Sequence, residues 1–547
     1  MQPWSRETTR KQLQEETFDL CIIGAGASGA GVALDAALRG YKVALIEKND
    51  FTAETSSRST KLIHGGVRYL EQAIKKLDLG QLRQVRHGLA ERQQVIDNAP
   101  HLAKPLGIIT PVFSWFEGFY FSLGLRLYGW FATSSKFPAA SWLSKAESLH
   151  RIPTLSPQLH SSVLYFDGQL DDARYGLALV QSAVKAGAQA LNYVEATAFE
   201  KDLNGKLNGV RLLDIPSGQE WTLRAKTFIN CAGPYADAIR LLANPSEHPR
   251  IRPSKGVHLM VPKRFMPAQE AMLIPKTPDG RVIFAIPFQE VILIGTTDTA
   301  YDSLTEEPVL ESNEIDYLLE TLRPYWKELP NRRDIQSGLG GLRPLISASR
   351  RAGADTKTLL RDHEIERDES SGLFSLLGGK WTTYRLMAQD MMDAVDRHWG
   401  KVNPCQTAHH RLVGAQNSTS TSESWLKTCP NDTLARHFWD KYGDRSSDVW
   451  AVCQETSEGQ EPIHPNYVYR KGEVRWAIRY EMAQNLRDFF ARRLRWELQD
   501  WRAVEEAIPT VAQIFAEELT WDASTLEKAM ESYSNQLKHY KKAANLV

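Results

Sequence analysis

Apolar positions along the chain fall into two periods that alternate in a set order. Residues 18–23 form an apolar, β-type run. An Ala- and Leu-rich helical pattern follows, and then a second short apolar run over residues 42–46. Strand, helix and strand in that order predict a βαβ unit. Residues 71–97 space Leu, Ile and Val among charges and predict a surface helix. Residues 162–166 predict a short strand, with a helix to about residue 186 and a strand near 190–194. Residues 207–230 predict a hairpin. The stretch 257–296 is all strand, in runs at 257–261, 282–287 and 291–296 with a turn at 288–290. Residues 311–329 return to helix, 374–379 predict a strand, and 381–395 the next helix. Residues 1–17, polar and mixed in charge, read as a loose arm.

A Ser/Thr-rich stretch at 406–424 marks a boundary, and helical patterns follow at 425–442, 472–485, 500–518 and 523–541. With 547 residues the chain is too long for one core, so two or three domains are expected. A net charge of zero supplies no field for nucleic acid. The basic run 487–495 carries Phe489, Phe490 and Leu494 at helical spacing and reads as a partly buried surface helix. Five scattered cysteines make neither a disulfide framework nor a zinc site, which suits a reducing cytosol. No metal site is expected. No apolar run is long enough to span a bilayer, and the first residues have no secretory pattern. Residues 111–131 are dense in Trp, Phe and Tyr. Two readings stand for them: a segment lying in a membrane interface, or an aromatic patch packed on the protein.

The first chemical signal lies in the βαβ unit. Gly24, Gly26 and Gly29 form G-x-G-x-x-G between strand and helix, and Glu47 ends the second strand. Gly24 permits a tight turn, Gly26 lets backbone approach a pyrophosphate, and Gly29 lets the helix pack on the strand. The helix N-terminus offers N–H groups to phosphate, and Glu47 stands where an acid meets an adenosine ribose. Next come Ser56-Ser57-Arg58-Ser59-Thr60-Lys61-Leu62-Ile63-His64-Gly65-Gly66-Val67-Arg68-Tyr69-Leu70, with hydroxyls and cations around two glycines. Asp171 and Asp172 read as caps of the helix that follows them.

These residues, with Lys255-Gly256-Val257-His258-Leu259, Gly295-Thr296-Thr297-Asp298-Thr299, Gly341-Leu342-Arg343-Pro344-Leu345 and Gly378-Gly379-Lys380-Trp381-Thr382-Thr383-Tyr384-Arg385, resemble the FAD-dependent glycerol-3-phosphate dehydrogenase family in identity and order. Trp381 departs from the aliphatic residue more usual there. The resemblance implies an α/β fold, α+β overall. It would hold a Rossmann-like FAD-binding domain of the glutathione-reductase/D-amino-acid-oxidase type, an interleaved β-sheet substrate domain and an all-helical C-terminal domain. The expected bounds are 18–100, 159–250 and 335–400 for the first, 101–158 and 251–334 for the second, and 420–547 for the third.

The resemblance further implies that FAD lies against Gly24, Ala25, Gly26, Ser28, Gly29, Glu47, Lys48, Ser56, Ser57, Thr60, Lys61, His64, Gly65, Gly233, Gly379, Lys380 and Thr382. Arg68, Tyr69, Arg343 and Lys380 would hold sn-glycerol 3-phosphate, because a dianion needs fixed cations and arginine donates bidentately. His64 and His258 are both candidate bases, and Lys380 would stabilise developing charge. The implied reaction gives dihydroxyacetone phosphate and passes electrons to a membrane quinone. The implied location is cytoplasmic, peripheral on the inner face of the membrane. Self-association or membrane docking is open to the helical region. Three rivals stand beside this reading: an oxidase using O2, an amine oxidase, and a non-catalytic flavoprotein that senses redox state or scaffolds. The paired Arg68 and Arg343 favour a phosphorylated substrate over an amine.

Overall fold

The computed structural model describes residues 3–66, 79–130, 137–277, 280–347, 363–416, 425 and 429–546. Five strands of the first sheet run parallel in the order Phe374–Gly378, Gln219–Asn230, Thr17–Ile23, Val43–Ile46 and Gln189–Leu191. The strand His363–Arg367 pairs antiparallel at one edge, and Leu207–Asp214 and Val194–Lys201 extend the sheet from Gln219–Asn230. The strand Val43–Ile46 is a continuous apolar run with every residue buried, as suits a parallel strand covered on both faces. Helix Ala27–Leu38 packs between Asp172–Lys185 and Tyr384–His398. Parallel strands deliver their C-terminal ends to one side. Residues 24–26, Glu47, 231–233 and 378–380 therefore come together although they are far apart in sequence.

The second sheet has ten strands. Its path runs Thr299–Ala300, Ile251–Pro262, Val291–Gly295, Ile283–Phe288, Ala271–Ile274, Ala103–Val112, Ser161–Leu170 and Leu62–Ile63, with Ser337–Ile346 on Ile251–Pro262 and Ser141–Ser144 on Ser161–Leu170. On Ile251–Pro262 the period of two separates the faces. Val257, Leu259 and Val261 pack in a core with Ile315, Leu318 and Leu322 of helix Ser312–Leu322. Ser254, Gly256 and His258 occupy the other face.

Several expectations are corrected. Hydrogen bonding places Leu62–Ile63, Ser161–Leu170 and Ser337–Ile346 in the second sheet, so these three segments leave the nucleotide-binding part. Residues 103–112 form a strand where no element was expected. The N-terminal arm is a helix, Arg6–Glu15. Leu13 is fully buried, Trp4 stacks on Phe51, and Arg6 pairs with Asp214. The helix expected over 71–97 is seen as Leu79–Asn98; 67–78 lie outside the described residues.

The C-terminal part is helical: Asp432–Tyr442, Ser446–Gln454, Lys471–Glu481, Trp501–Leu519 and Ala523–Ala543. Between them the basic run forms a wide π-type turn, Asp488–Arg493, and it is not a surface helix. Arg492, Arg493 and Arg495 are buried. Arg492 and Arg493 clamp Asp50 at 2.5 and 2.6 Å, and Arg495 reaches Asp172 at 2.8 Å. A buried guanidinium persists only with a charged partner, and the partners come from the nucleotide-binding part.

Candidate active site

The glycine fingerprint forms a cradle with no room for side chains. Gly24 has φ +101°, which L-residues avoid, and its N–H donates to Ile46 O at 2.8 Å. A Cβ at Gly29 would overlap the Gly24 carbonyl, so the helix can approach the strand only with glycine there. Helix Ala27–Leu38 starts at Gly26, and Ser28 lies half-buried in its first turn. Ser56 Oγ accepts from Ala27 N–H at 2.9 Å. Glu47 accepts from Ala25 and Asn49 N–H at 2.7 and 2.9 Å, and burial pushes its carboxyl up to about 7. The turn at Gly378 and Gly379 also has positive φ, at 68° and 93°, and Gly233 at 55°. An open helix N-terminus, a carboxylate beside it and glycine turns at three strand ends fit a dinucleotide such as FAD.

The Ser56–Gly65 segment is tied down at both ends. Trp381 Nε1–H donates to Ser56 O at 2.7 Å, so the unusual tryptophan straps this loop. Further along, His64 N–H donates to Thr382 Oγ1 at 3.1 Å and Gly65 N–H to Tyr128 OH at 2.7 Å. Two residues expected to touch the cofactor have other side-chain partners. Lys48 is exposed and pairs with Glu195 at 2.7 Å. Lys61 is fully buried, with φ +62°, and its Nζ donates to Asp172 Oδ2 at 2.7 Å and Ser57 O at 2.9 Å. Burial pulls its ammonium down to about 7 against the opposing pull of Asp172. Asp171 caps its helix through Arg174 N–H as expected, and Asp172 Oδ1 accepts from the first-turn N–H of Ala173 at 2.9 Å. Its carboxylate also accepts from Ser59 and Arg495 and is a buried hub.

The second sheet adds the other wall. Arg343 stands opposite Ser254, and its guanidinium lies over Gly256, where a Cβ would meet Nη2 at 2.5 Å. It donates to Thr297 O at 2.9 Å, to Thr296 Oγ1 at 3.2 Å and to Asp298 Oδ1 at 3.2 Å. His258 is two residues along the same face, and its ring fills the space over Gly295, where a Cβ would overlap it. His258 Nε2 lies 3.0 Å from Thr60 Oγ1, and Nδ1 is buried with no hydrogen-bond partner among the described residues. Burial first, then the charges of Lys61 and Arg343, hold its pKa well below the ordinary value, so the ring is neutral at pH 7.

His64 is exposed, at the edge of this site. Lys380 is half-buried and opens the Trp381–Thr383 turn after the two glycines. Arg68 and Tyr69 lie outside the described residues. Thr296, Thr297 and Asp298 were legible as a motif, but their part in gripping Arg343 was not.

Two family models match the chain: FAD dependent oxidoreductase over residues 19–388, and the C-terminal domain of alpha-glycerophosphate oxidase over 405–526. The probable mitochondrial glycerol-3-phosphate dehydrogenase of Caenorhabditis elegans is 40% identical over 541 residues, covering 96% of this chain and 74% of that protein. The mitochondrial glycerol-3-phosphate dehydrogenase of Homo sapiens is 37% identical over 549 residues, covering 97% and 75%. The solved glycerol-3-phosphate dehydrogenase of Bacillus halodurans, complexed with FAD, superposes with a TM-score of 0.80 at 31% identity over 99% of this chain and 98% of that one.

Proposed function

The chain belongs to the FAD dependent oxidoreductase family, among the glycerol-3-phosphate dehydrogenases, and on that premise we propose that it oxidises sn-glycerol 3-phosphate to dihydroxyacetone phosphate and passes the electrons to a membrane quinone. The observation that carries the reading is one sheet face holding two complementary groups. A guanidinium sits over Gly256, and a neutral imidazole with a bare buried nitrogen sits beside it.

Arg343, fixed by Thr296, Thr297 and Asp298, receives the phosphate dianion. His258 is the base for the C2 hydroxyl proton, its neutral state leaving one ring nitrogen with a lone pair. Lys380, at the mouth of the glycine turn, offsets negative charge that develops during transfer. Bound FAD supplies the acceptor for the hydride that leaves C2. The cradle at Gly24, Gly26 and Gly29, with Glu47 at its end, holds the cofactor's pyrophosphate and ribose.

For the membrane side, helix Trp115–Trp130 supports the reading. Leu125 and Tyr128 face inward, while Trp115, Phe116 and Trp130 are 62%, 72% and 77% exposed. An aromatic face of this kind, on a helix too short to span, suits the headgroup boundary of a bilayer. No described helix is long and apolar enough to cross one. Replacing Phe116 and Trp130 by Ser should cut co-sedimentation with phosphatidylglycerol vesicles at least about tenfold. Unchanged binding would remove this helix as the anchor.

The function itself is tested by adding sn-glycerol 3-phosphate to the purified, FAD-loaded protein without oxygen. Bleaching of the flavin is expected, followed by fast reoxidation with a soluble quinone and slow reoxidation in air. Fast reoxidation in air would make it an oxidase. A flavin that stays oxidised would refute the substrate.

A further inference from the structure

The loop from Ser57 to Lys61 is wound around one carboxylate. Asp172 Oδ2 accepts from Ser59 N–H at 3.0 Å, Ser59 Oγ–H at 2.7 Å and Lys61 Nζ at 2.7 Å. Its Oδ1 accepts from Arg495 Nη2 at 2.8 Å. Arg495 Nη2 and Lys61 Nζ both also donate to Ser57 O, at 2.8 and 2.9 Å. Every group in this knot is buried or bonded, so the arc has little freedom. Thr60 lies inside the arc, and its side chain turns away from the knot to His258 Nε2.

A neutral imidazole carries one proton, and the partner of one nitrogen decides which nitrogen keeps it. When Thr60 Oγ1 accepts from Nε2–H, Nδ1 holds a lone pair. Nδ1 is the nitrogen with no partner among the described residues. Ring orientation is restricted as well, because the imidazole fills the space over Gly295. Thr60 therefore restrains the ring orientation that a base at this position requires.

We propose that Thr60 is a positioning residue that fixes the orientation of the His258 ring, and that Arg495, through Asp172, holds Thr60 in place. On this reading the helical C-terminal part takes part in the proton step without touching substrate. The proposal rests on sn-glycerol 3-phosphate being the substrate and His258 the base. It also moves Thr60 away from the role of cofactor ligand.

The test uses Thr60→Val, Thr60→Ser and the wild type. FAD affinity is read by titrating apoprotein, and the rate of anaerobic flavin bleaching by sn-glycerol 3-phosphate is read by stopped flow. Thr60→Val should bind FAD within about twofold of wild type and keep its half-saturating substrate concentration, while the limiting bleaching rate falls about 10²-fold. Thr60→Ser, which keeps the hydroxyl, should recover most of the rate. An unchanged limiting rate in Thr60→Val would overturn the proposal, and so would a loss of FAD affinity with a normal rate in the loaded fraction. The wild-type arm separates the two readings. A wild-type flavin that the substrate leaves oxidised removes the substrate assignment and the Thr60 role with it. A bleached wild type beside an equally fast Thr60→Val removes the Thr60 role alone. The far end is read by a double-mutant cycle with Arg495→Met. Arg495→Met should slow bleaching less than Thr60→Val and add nothing to it in the double variant, whereas additive effects would break the link.

Discussion

The two ends of this site are built from different material. At the proposed adenosine end, one short stretch of chain is shaped by backbone: Gly24, Gly26 and Gly29 leave space, a helix N-terminus offers N–H groups, and Glu47 stands at the end. The reactive end that we propose is built from side chains drawn from five separate stretches, at Thr60, Asp172, His258, Arg343 and Arg495. The first depends on steric exclusion, which is all or none. The second depends on partnership among charges and hydroxyls, which can be weakened one group at a time. Binding of the cofactor and turnover of the substrate should therefore be separable by substitution.

Gly29→Val should break the adenosine end most completely. A side chain there overlaps the Gly24 carbonyl, and the purified protein should carry no flavin and regain none on adding FAD. Flavin retained at a normal level would show that the helix can shift away from the strand. Arg343→Ala should raise KM by roughly 10²-fold or more, since charge-assisted bonds to a dianion are lost, while the protein stays yellow. Loss of flavin in that variant would erase the distinction between the two ends.

Glu47→Gln should have the smallest effect, weakening FAD by roughly 10-fold through loss of one charged acceptor. It should also change the apoprotein's pH dependence. Glu47 titrates at about 7 in the fold, against an ordinary value of 4.5. Between those values the folded apoprotein keeps a proton that the unfolded chain has released. Stability from this group is thus full below 4.5 and lost as pH rises through 7. Chemical denaturation from pH 4.5 to 7.5 should show that decline, and Glu47→Gln should flatten it.

What could be read in the sequence follows the same divide. The glycine fingerprint and the strands at 18–23, 257–261 and 291–296 announce themselves because their physical demands are local. Partnerships across the chain do not. The run that carries Arg492, Arg493 and Arg495 reads as a partly buried surface helix, since nothing near it reveals Asp50 or Asp172. Asp171 and Asp172 look alike as caps, and only tertiary burial turns the second into a hub. Residues 161–170 follow the nucleotide-binding unit in sequence, yet their backbone pairs with Ala103–Val112, a strand overshadowed by the aromatic stretch beside it. The N-terminal helix escaped notice because its apolar content is small and its anchors, Trp4 and Arg6, find their partners far away.

The clamp on Asp50 and Asp172 also sets a timetable for biosynthesis. Asp50 precedes its partner Arg492 by 442 positions, and Asp172 precedes Arg495 by 323. At about 5–20 residues per second, a ribosome exposes Asp50 roughly 20–90 s before the cation that neutralises it. During that interval the nascent nucleotide-binding unit carries carboxylates that resist burial. The segment that strings Ser57 to Lys61 thus gains its last supports only once Arg495 has been made. Closure of that loop is therefore a late step, taken after the glycine cradle has been made.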